Sequence, residues 1–392
     1  MSFLRAARAA LAGQNCLPRI LVAFVVVVLL AGLSLSCGSS HSTPGHNHNA
    51  YITLPERGSV LLLHINGATG AITLGAETPQ VQNTSPTGIA LLPSKKFLYA
   101  INSSSHADSI SIFNVASDGT LALSGTPSPA GNGPNDAVID PSGKYLLVTN
   151  NFGNNVSVYS IDASSGALSE VAGSPFPANS NPAEILITPS GKFVYVTNPG
   201  IGMVTAFSFS NGVLTQLPTS PVPSGAGAVG LAVDGSERFL YVANPSASNP
   251  PPFSSTTGNI SGFTIDPSTG ALGTLPGSPF TVTNGKGPSA VTVDPSGRFV
   301  YATTTGSSFS IWCFTISPTN GQLVAATNSP FSLTAGGLFA LIDPSGNYLY
   351  IGSQDANGIA GYTYDPSTGA PTAITGSPFS TVAAPGKMVL SE

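Results

Sequence analysis

One short motif recurs seven times along the chain. It combines aromatic and alternating apolar residues with a final polar residue, as in Phe193–Asn198, except that a degenerate first copy ends in Leu54. The copies end at positions 54, 102, 150, 198, 244, 304 and 353, which gives intervals of 48, 48, 48, 46, 60 and 49 residues. The longest interval contains a Pro- and Ser-rich insertion over 245–259, which is typical of a loop. A period of this length indicates a repeat fold in which each unit packs on its neighbours.

Each repeat contains four predicted strands, most clearly in the third copy. There, strand A is predicted over 136–140, strand B over 144–150, strand C over 156–161, and strand D over 167–176. The intervening Asp-Pro-Ser-Gly sequence fits a type I turn. Four strands per unit of about 48 residues predict an all-β fold, a seven-bladed β-propeller with four-stranded blades.

The two ends of the repeat region complement each other. The first copy starts at strand B, at residues 50–51, whereas residues 387–390 look like a strand A. We therefore expect the C-terminal strand A to join the N-terminal strands B–D. This arrangement closes the ring, because it leaves no unpaired edge in the first blade. The propeller is predicted over residues 50–392.

The N-terminal residues predict export. Arg5, Arg8 and Arg19 precede an uncharged run over 20–33, and small residues follow. This order predicts a secretory signal peptide over 1–36. The fourteen-residue run is short for a membrane span, which needs about 20 residues.

Cys37 follows the predicted cleavage site, and the segment resembles a bacterial lipoprotein signal. The resemblance implies a lipid on Cys37, with the Ser-, Gly-, His- and Asn-rich residues 37–49 as a flexible tether. We therefore expect an envelope lipoprotein on the periplasmic or outer-surface side, in contact with the membrane through its lipid only. The alternative is an ordinary signal peptide with an incidental cysteine.

Composition excludes several classes of protein. Only 7% of residues are charged, but 41% are hydrophobic and recur in short alternating runs, which argues against disorder. Without residues 1–36, 9 basic residues face 17 acidic ones, so no nucleic-acid partner is expected. Three cysteines provide no disulfide framework, and Cys313 lies in a predicted strand as a buried, inert thiol. We expect a monomer.

The motif Phe193–Asn198 and the Asp-Pro-Ser-Gly turns resemble YVTN-type propeller repeats and the seven-bladed lactonase family. That family includes proteins similar to 6-phosphogluconolactonase and to carboxymuconate cyclase. Its members commonly carry Pro-Arg-His where strand A begins, at the mouth of the central channel. In this chain, neither His nor Arg occupies the two matching positions. The His position holds Lys387, Gly88, Asp136, Glu184, Gly230, Ala290 and Phe339, and the Arg position holds Gly386, Thr87, Asn135, Ala183, Val229, Ser289 and Leu338.

The heads of the A strands supply the candidate site. Glu184 is the predicted general base, with Asp136 raising its pKa by like-charge repulsion, and Lys387 is a candidate for binding an anionic ligand. The alternative is a hydrated polar rim without a ligand.

Other residues are weaker candidates for this site. Further ligand-binding candidates are Asn135, Lys286 and His106, the last in a loop on the same face. His41, His46 and His48 are assigned to the tether, and His64 to the surface. No metal or cofactor is expected, because no zinc spacing or phosphate loop occurs in the sequence.

Two functions remain open. The first is a binding or scaffolding module for a glycan, a peptide or a protein. The second, implied by the resemblance, is a hydrolase of lactones (a carboxylic ester hydrolase) or a muconate-cyclase-like enzyme acting at the central channel.

Overall fold

A computed structural model describes residues 47–81, 84–103, 108–245, 258–283, 287–305, 309–353 and 355–391. The predicted signal peptide, Cys37, His106 and Lys286 lie outside these ranges. Apart from one 3₁₀ turn, Pro55–Arg57, the described secondary structure is β-strand. Within these ranges, no helix has the length and apolar character needed to cross a membrane.

The strands form seven antiparallel sheets, which we number as blades 1 to 7 and whose strands are lettered outward from the centre. The A strands of blades 1 to 7 are Met388–Ser391, Pro86–Leu91, Pro134–Ile139, Ile185–Ile187, Gly230–Val233, Pro288–Val293 and Phe339–Ile342. The B strands are His48–Leu54, Phe97–Asn102, Tyr145–Asn150, Phe193–Asn198, Phe239–Asn244, Phe299–Thr304 and Tyr348–Ser353. The seven-bladed propeller with four-stranded blades is thus confirmed.

The outer strands complete each blade. The C strands of blades 1 to 7 are Ser59–Ile65, Ser109–Val115, Asn155–Ile161, Met203–Ser210, Gly258–Ile265, Ser310–Ile316 and Gly358–Tyr364. The D strands are Ile72–Glu77, Leu121–Leu123, Leu168–Glu170, Val213–Gln216, Leu272–Thr274, Leu323–Ala325 and Pro371–Ala373. In blades 2 to 7 a second short segment also pairs with strand C, and these are Ser128–Pro129, Phe176–Pro177, Val222–Pro223, Phe280–Val282, Phe331–Ser332 and Phe379–Ser380. In blade 3, the single strand D predicted from the sequence is therefore divided into two strands, Leu168–Glu170 and Phe176–Pro177.

The ring closes as the sequence indicates. Met388–Ser391 pairs with His48–Leu54, with Met388 opposite Ile52 and Ser391 opposite Asn49. Strands from the two ends of the chain therefore share one sheet, which gives blade 1 its full complement of four strands.

His48 differs from its prediction as a tether residue. Strand B of blade 1 starts at His48, two residues before the predicted boundary of the propeller. The imidazole Nε2 lies 2.7 Å from the Oδ2 of Asp343 in blade 7, and the two side chains are 13% and 2% exposed. The sequence alone could not show this pair, because its members are brought together only by ring closure. His64, by contrast, is exposed on strand C as predicted.

Apolar side chains of the described residues group into seven clusters, one at each junction between neighbouring blades. The cluster between blades 7 and 1, for example, includes Tyr350, Leu63 and Met388. Because each blade has two apolar faces, neither face is buried until both neighbours are in place. Cys313 lies in the cluster between blades 6 and 7, and burial raises the pKa of its thiol to about 12, in line with an inert residue.

A tyrosine in strand B links six of the seven junctions. Its hydroxyl donates a hydrogen bond to a glycine carbonyl in the turn between strands C and D of the next blade. The bonds are Tyr51–Gly119, Tyr99–Gly166, Tyr195–Gly270, Tyr241–Gly321, Tyr301–Gly369 and Tyr350–Gly70, at 2.8–3.0 Å. Blade 3 carries Leu147 at this position. Burial raises the pKa of these hydroxyls, to about 12 for Tyr51, so they remain protonated donors.

Replacing Tyr241 with Phe tests this bond. The Tyr241→Phe variant keeps the ring but leaves the Gly321 carbonyl without its donor, so we expect about 1–3 kcal/mol less unfolding free energy. Urea unfolding followed by tryptophan fluorescence measures the change. Tyr362→Phe is the matched control, because the Tyr362 hydroxyl makes none of the six bonds, and it should cost less than Tyr241→Phe. Equal losses in the two variants would contradict a specific role for the inter-blade bond.

Candidate functional site

The heads of the seven A strands form a ring around the channel. Each head lies opposite the fifth or sixth residue of its own strand B, as in the pairs Asp136–Thr149 and Phe339–Gly352. The structure thus brings together the positions that the sequence aligned. In blades 2, 3 and 6 the preceding residue, such as Asn135, falls in a β-bulge at the start of strand A.

Three threonines hold the charged heads in place. The backbone N–H groups of Lys387, Asp136 and Glu184 donate hydrogen bonds to threonine hydroxyls on strand B at 2.9, 3.1 and 3.0 Å. The acceptors are Thr53, Thr149 and Thr197, respectively. These supporting residues were not singled out from the sequence, although a threonine occupies the same motif position in each of these three blades.

Lys387 reaches across the channel. Its ammonium group donates to the Oε1 of Glu184 and lies 3.8 Å from the Oδ2 of Asp136. Lys387 belongs to blade 1 and Glu184 to blade 4, and these blades lie on opposite sides of a seven-membered ring. The ion pair therefore forms a bar over the channel, with 31% of the lysine side chain and 25% of the Glu184 side chain exposed.

Both carboxylates also bind the backbone of the following blade. Asp136 Oδ2 accepts a hydrogen bond from the Ile185 N–H at 3.3 Å, and Glu184 Oε2 accepts one from the Leu231 N–H at 2.9 Å. Charge-assisted bonds of this kind fix the carboxylates in orientation. The cluster is therefore preorganised by blades 1, 3, 4 and 5.

A cavity of about 220 Å³ adjoins this bar. Its twelve lining residues come from all seven blades and lie in the A strands or, for Glu184 and Lys387, directly before them. Three of them are Asp136, Glu184 and Lys387, and the other nine are apolar, including Leu231 and Phe339. A pocket of this size accommodates a small molecule but no folded partner or peptide of several residues.

Burial and charge shift the proton equilibria of the cluster. Burial raises the pKa of Asp136 to about 6; Lys387 opposes the rise and Glu184 adds to it. For Lys387, burial alone would lower the pKa, but the two carboxylates outweigh it and the pKa is raised. The lysine thus remains an ammonium ion at neutral pH, whereas the Asp136 carboxyl titrates just below neutrality.

Other candidates have different positions. Asn135 is half-buried in its bulge and is not among the residues that line the cavity. The asparagines that end the B strands of blades 2 to 5 are buried and tie strand B to the loops and the start of strand C. Asn150 Nδ2, for example, donates to the Asn155 Oδ1 at 2.7 Å and to the Ser157 Oγ at 2.9 Å. Within the described ranges, no group of three His, Cys, Asp or Glu residues is arranged for a metal ion.

The chain belongs to the family of the seven-bladed β-propeller lactonases, which matches residues 39–177, 171–276 and 257–385. No curated protein matches the chain.

Solved structures share the fold. A candidate 6-phosphogluconolactonase of Bacteroides uniformis superposes with a TM-score of 0.73 at 20% identity, over 88% of this chain and 100% of that one. A candidate 6-phosphogluconolactonase of Bacteroides fragilis superposes with a TM-score of 0.72 at 19% sequence identity, over 90% of this chain and 99% of that one. The periplasmic gluconolactonase of Pseudomonas aeruginosa superposes with a TM-score of 0.69 at 16% sequence identity, over 88% of this chain and 99% of that one. At these identities the likeness concerns the fold.

Titration of Asp136 should make stability depend on pH. Its folded pKa of about 6 exceeds the unfolded value near 3.9, so the folded state binds more protons between these pH values. The contribution of Asp136 to the unfolding free energy should therefore fall by about 2–3 kcal/mol as pH rises from 4 to 6. In Asp136→Asn this component should vanish, whereas Glu56→Gln, at an exposed carboxylate, should keep it. Urea titrations at each pH measure the slope, and parallel slopes in the wild type and Asp136→Asn would contradict the assignment.

Proposed function

We propose that this lactonase-family propeller is a binding module that holds a small molecule in its channel cavity. The observation that carries the proposal is the preorganised cluster of Lys387, Glu184 and Asp136 beside a cavity lined by every blade. The size of the cavity favours a small ligand over the glycan, peptide or protein partners considered from the sequence. A ligand there exchanges hydrogen bonds with groups that are already oriented, which reduces the entropic cost of binding.

The arrangement of the charges favours binding over catalysis. Glu184, the general base expected from the sequence, is engaged by the Lys387 ammonium and by the Leu231 N–H. These two contacts occupy both carboxylate oxygens of Glu184, so neither is free to take a proton from an attacking water. The family's His and Arg positions hold other residues in all seven blades.

Hydrolysis of a lactone is the second candidate, favoured by the pKa of about 6 for Asp136. In this reaction the Asp136 carboxylate takes a proton from the water that attacks the carbonyl carbon, and Lys387 donates to the carbonyl oxygen. The carbon–oxygen bond of the ring then breaks, and the leaving alkoxide takes the proton from Asp136. A pKa close to the working pH suits a general base.

One experiment separates the two functions. The full-length protein in detergent is screened against small lactones and polyols by thermal shift and calorimetry, and acid release is followed in a pH-stat. For binding, we expect saturable stabilisation without acid release, weakened about tenfold or more in Glu184→Gln and unchanged in Glu56→Gln. For hydrolysis, we expect acid release that increases as pH rises through about 6 and drops about 10²-fold or more in Asp136→Asn.

The outcomes are exclusive. Acid release that Asp136→Asn abolishes would replace the binding function with the hydrolytic one. If no compound stabilises the protein or is hydrolysed, both functions are wrong. Stabilisation that persists in Glu184→Gln and Lys387→Met would place the ligand elsewhere on the molecule.

We also propose that the propeller is exported and lipid-anchored at Cys37. The order of Arg residues, apolar run, small residues and cysteine supports this, and one structural relative is a periplasmic protein. An attached acyl chain would keep the propeller in the cell envelope without a membrane-spanning helix.

Lipid labelling tests the anchor. In bacteria fed an alkyne fatty acid, the full-length protein should acquire the label, and Cys37→Ser should lose it almost entirely. Cys16→Ser, which removes a cysteine from the predicted signal peptide, is the matched control and should remain labelled. Full labelling of Cys37→Ser would show that the lipid is attached elsewhere or that Cys37 has no such role.

A further inference from the structure

We propose that the channel mouth selects an uncharged ligand and rejects anionic ones, phosphorylated lactones included. The inference rests on the proposed binding function and adds the charge class of the ligand. On this inference, the chain differs from phosphogluconolactonase-like relatives in the charge of its site, whereas the fold is the same.

The charges that line the cavity have a net negative sum. Among the lining residues, Asp136 and Glu184 are acidic and Lys387 is basic, and the other nine carry no charge. When both carboxylates are ionised, the cluster holds one negative charge in excess. An anion brought within about 6 Å of this excess is repelled strongly enough, at a surface-like dielectric constant, to weaken its binding about tenfold or more.

The cation of the cluster is already engaged. Lys387 donates to Glu184 and lies 3.8 Å from Asp136, and the two carboxylates raise its pKa. A phosphate that recruited this ammonium would have to displace Glu184. It would then leave a partly buried carboxylate without its counter-ion, which is costly.

In the part that the structure describes, the rim of the same face does not offset the excess. Strands B and D end on this face, and strands A and C start there, so their connecting loops surround the mouth. Apart from the cluster itself, the acidic residues in the described part of these loops and the adjoining ends of strand D are Glu56, Glu77, Asp108, Glu170 and Asp355, and the basic residue is Arg57, whereas Lys286 lies outside the described residues. Arg57 is bound by both oxygens of Glu77 at 2.6 and 3.0 Å. A cleft lined mainly by one sign of charge repels ligands of that sign.

A matched pair of ligands tests the proposal. Glucono-1,5-lactone and its 6-phosphate differ by the phosphate group, and each is titrated into the full-length protein at pH 7.5. If the screen finds a tighter uncharged lactone, that compound and its phosphate monoester form the pair. We expect the uncharged member to bind about tenfold tighter or more.

Two variants connect the preference to the cluster. Asp136→Asn removes the excess negative charge and should narrow the difference in affinity several-fold, whereas Glu56→Gln, on the outer rim, should leave it almost unchanged. In the wild type, affinity for the phosphorylated member should rise as pH falls through about 6, since Asp136 and the phosphate monoester are then both protonated, and in Asp136→Asn the rise should be smaller because only the phosphate titrates. The affinity for the uncharged member should be nearly independent of pH.

The outcomes separate this inference from the function on which it rests. Equal or tighter binding of the phosphorylated member overturns the charge preference and leaves the binding function in place. If no uncharged lactone or polyol binds, the binding function falls and the preference falls with it. An affinity difference that is unchanged in Asp136→Asn overturns the assignment of the preference to the cluster.

Discussion

The hydrogen bond from a strand-B tyrosine to a glycine carbonyl of the next blade sets the geometry on which the channel depends. Each bond connects the middle of one blade to a turn of its neighbour, and both groups are buried. A buried donor and acceptor must meet or leave two unsatisfied groups, so the angle between blades has little freedom. Repeated at six of the seven junctions, this constraint acts together with the apolar clusters between the blades to hold the strand heads on one ring, in which blade 4 lies opposite blade 1. The bar formed by Lys387 and Glu184 is a consequence of that placement.

The repeat made most of the fold predictable from the sequence. Its period gave the number of blades, and the alignment of its copies identified the heads of the A strands, including Asp136 and Glu184. Contacts between residues far apart in the ring could not be obtained in this way. The Lys387–Glu184 pair requires the knowledge that two blades face each other, and the His48–Asp343 pair exists only after ring closure. The role of Thr149 as an acceptor was also hidden, because threonine is an ordinary residue of β-strands.

The charge of the candidate site differs from the family pattern, and it is less positive. At the positions where the family resemblance implies Arg and His, this chain carries neutral or acidic residues, apart from Lys387, which the two carboxylates hold. A fold can keep its architecture while some heads of its innermost strands change, because most of the packing between blades lies in the seven apolar clusters. The charge of the channel can therefore differ between proteins of one fold. The threonines that hold the charged heads accept hydrogen bonds from backbone N–H groups, so they can position a side chain of either charge.

Lys387 directly precedes the strand Met388–Ser391, which follows every other described strand in the chain. One short segment thus supplies both the last strand of blade 1 and the positive charge of the channel. Until it arrives, Asp136 and Glu184 face each other without a counter-ion, and strand B of blade 1 has an open edge. The channel cavity therefore acquires its final charge only when the ring becomes continuous, so an unfinished propeller has no finished charge cluster.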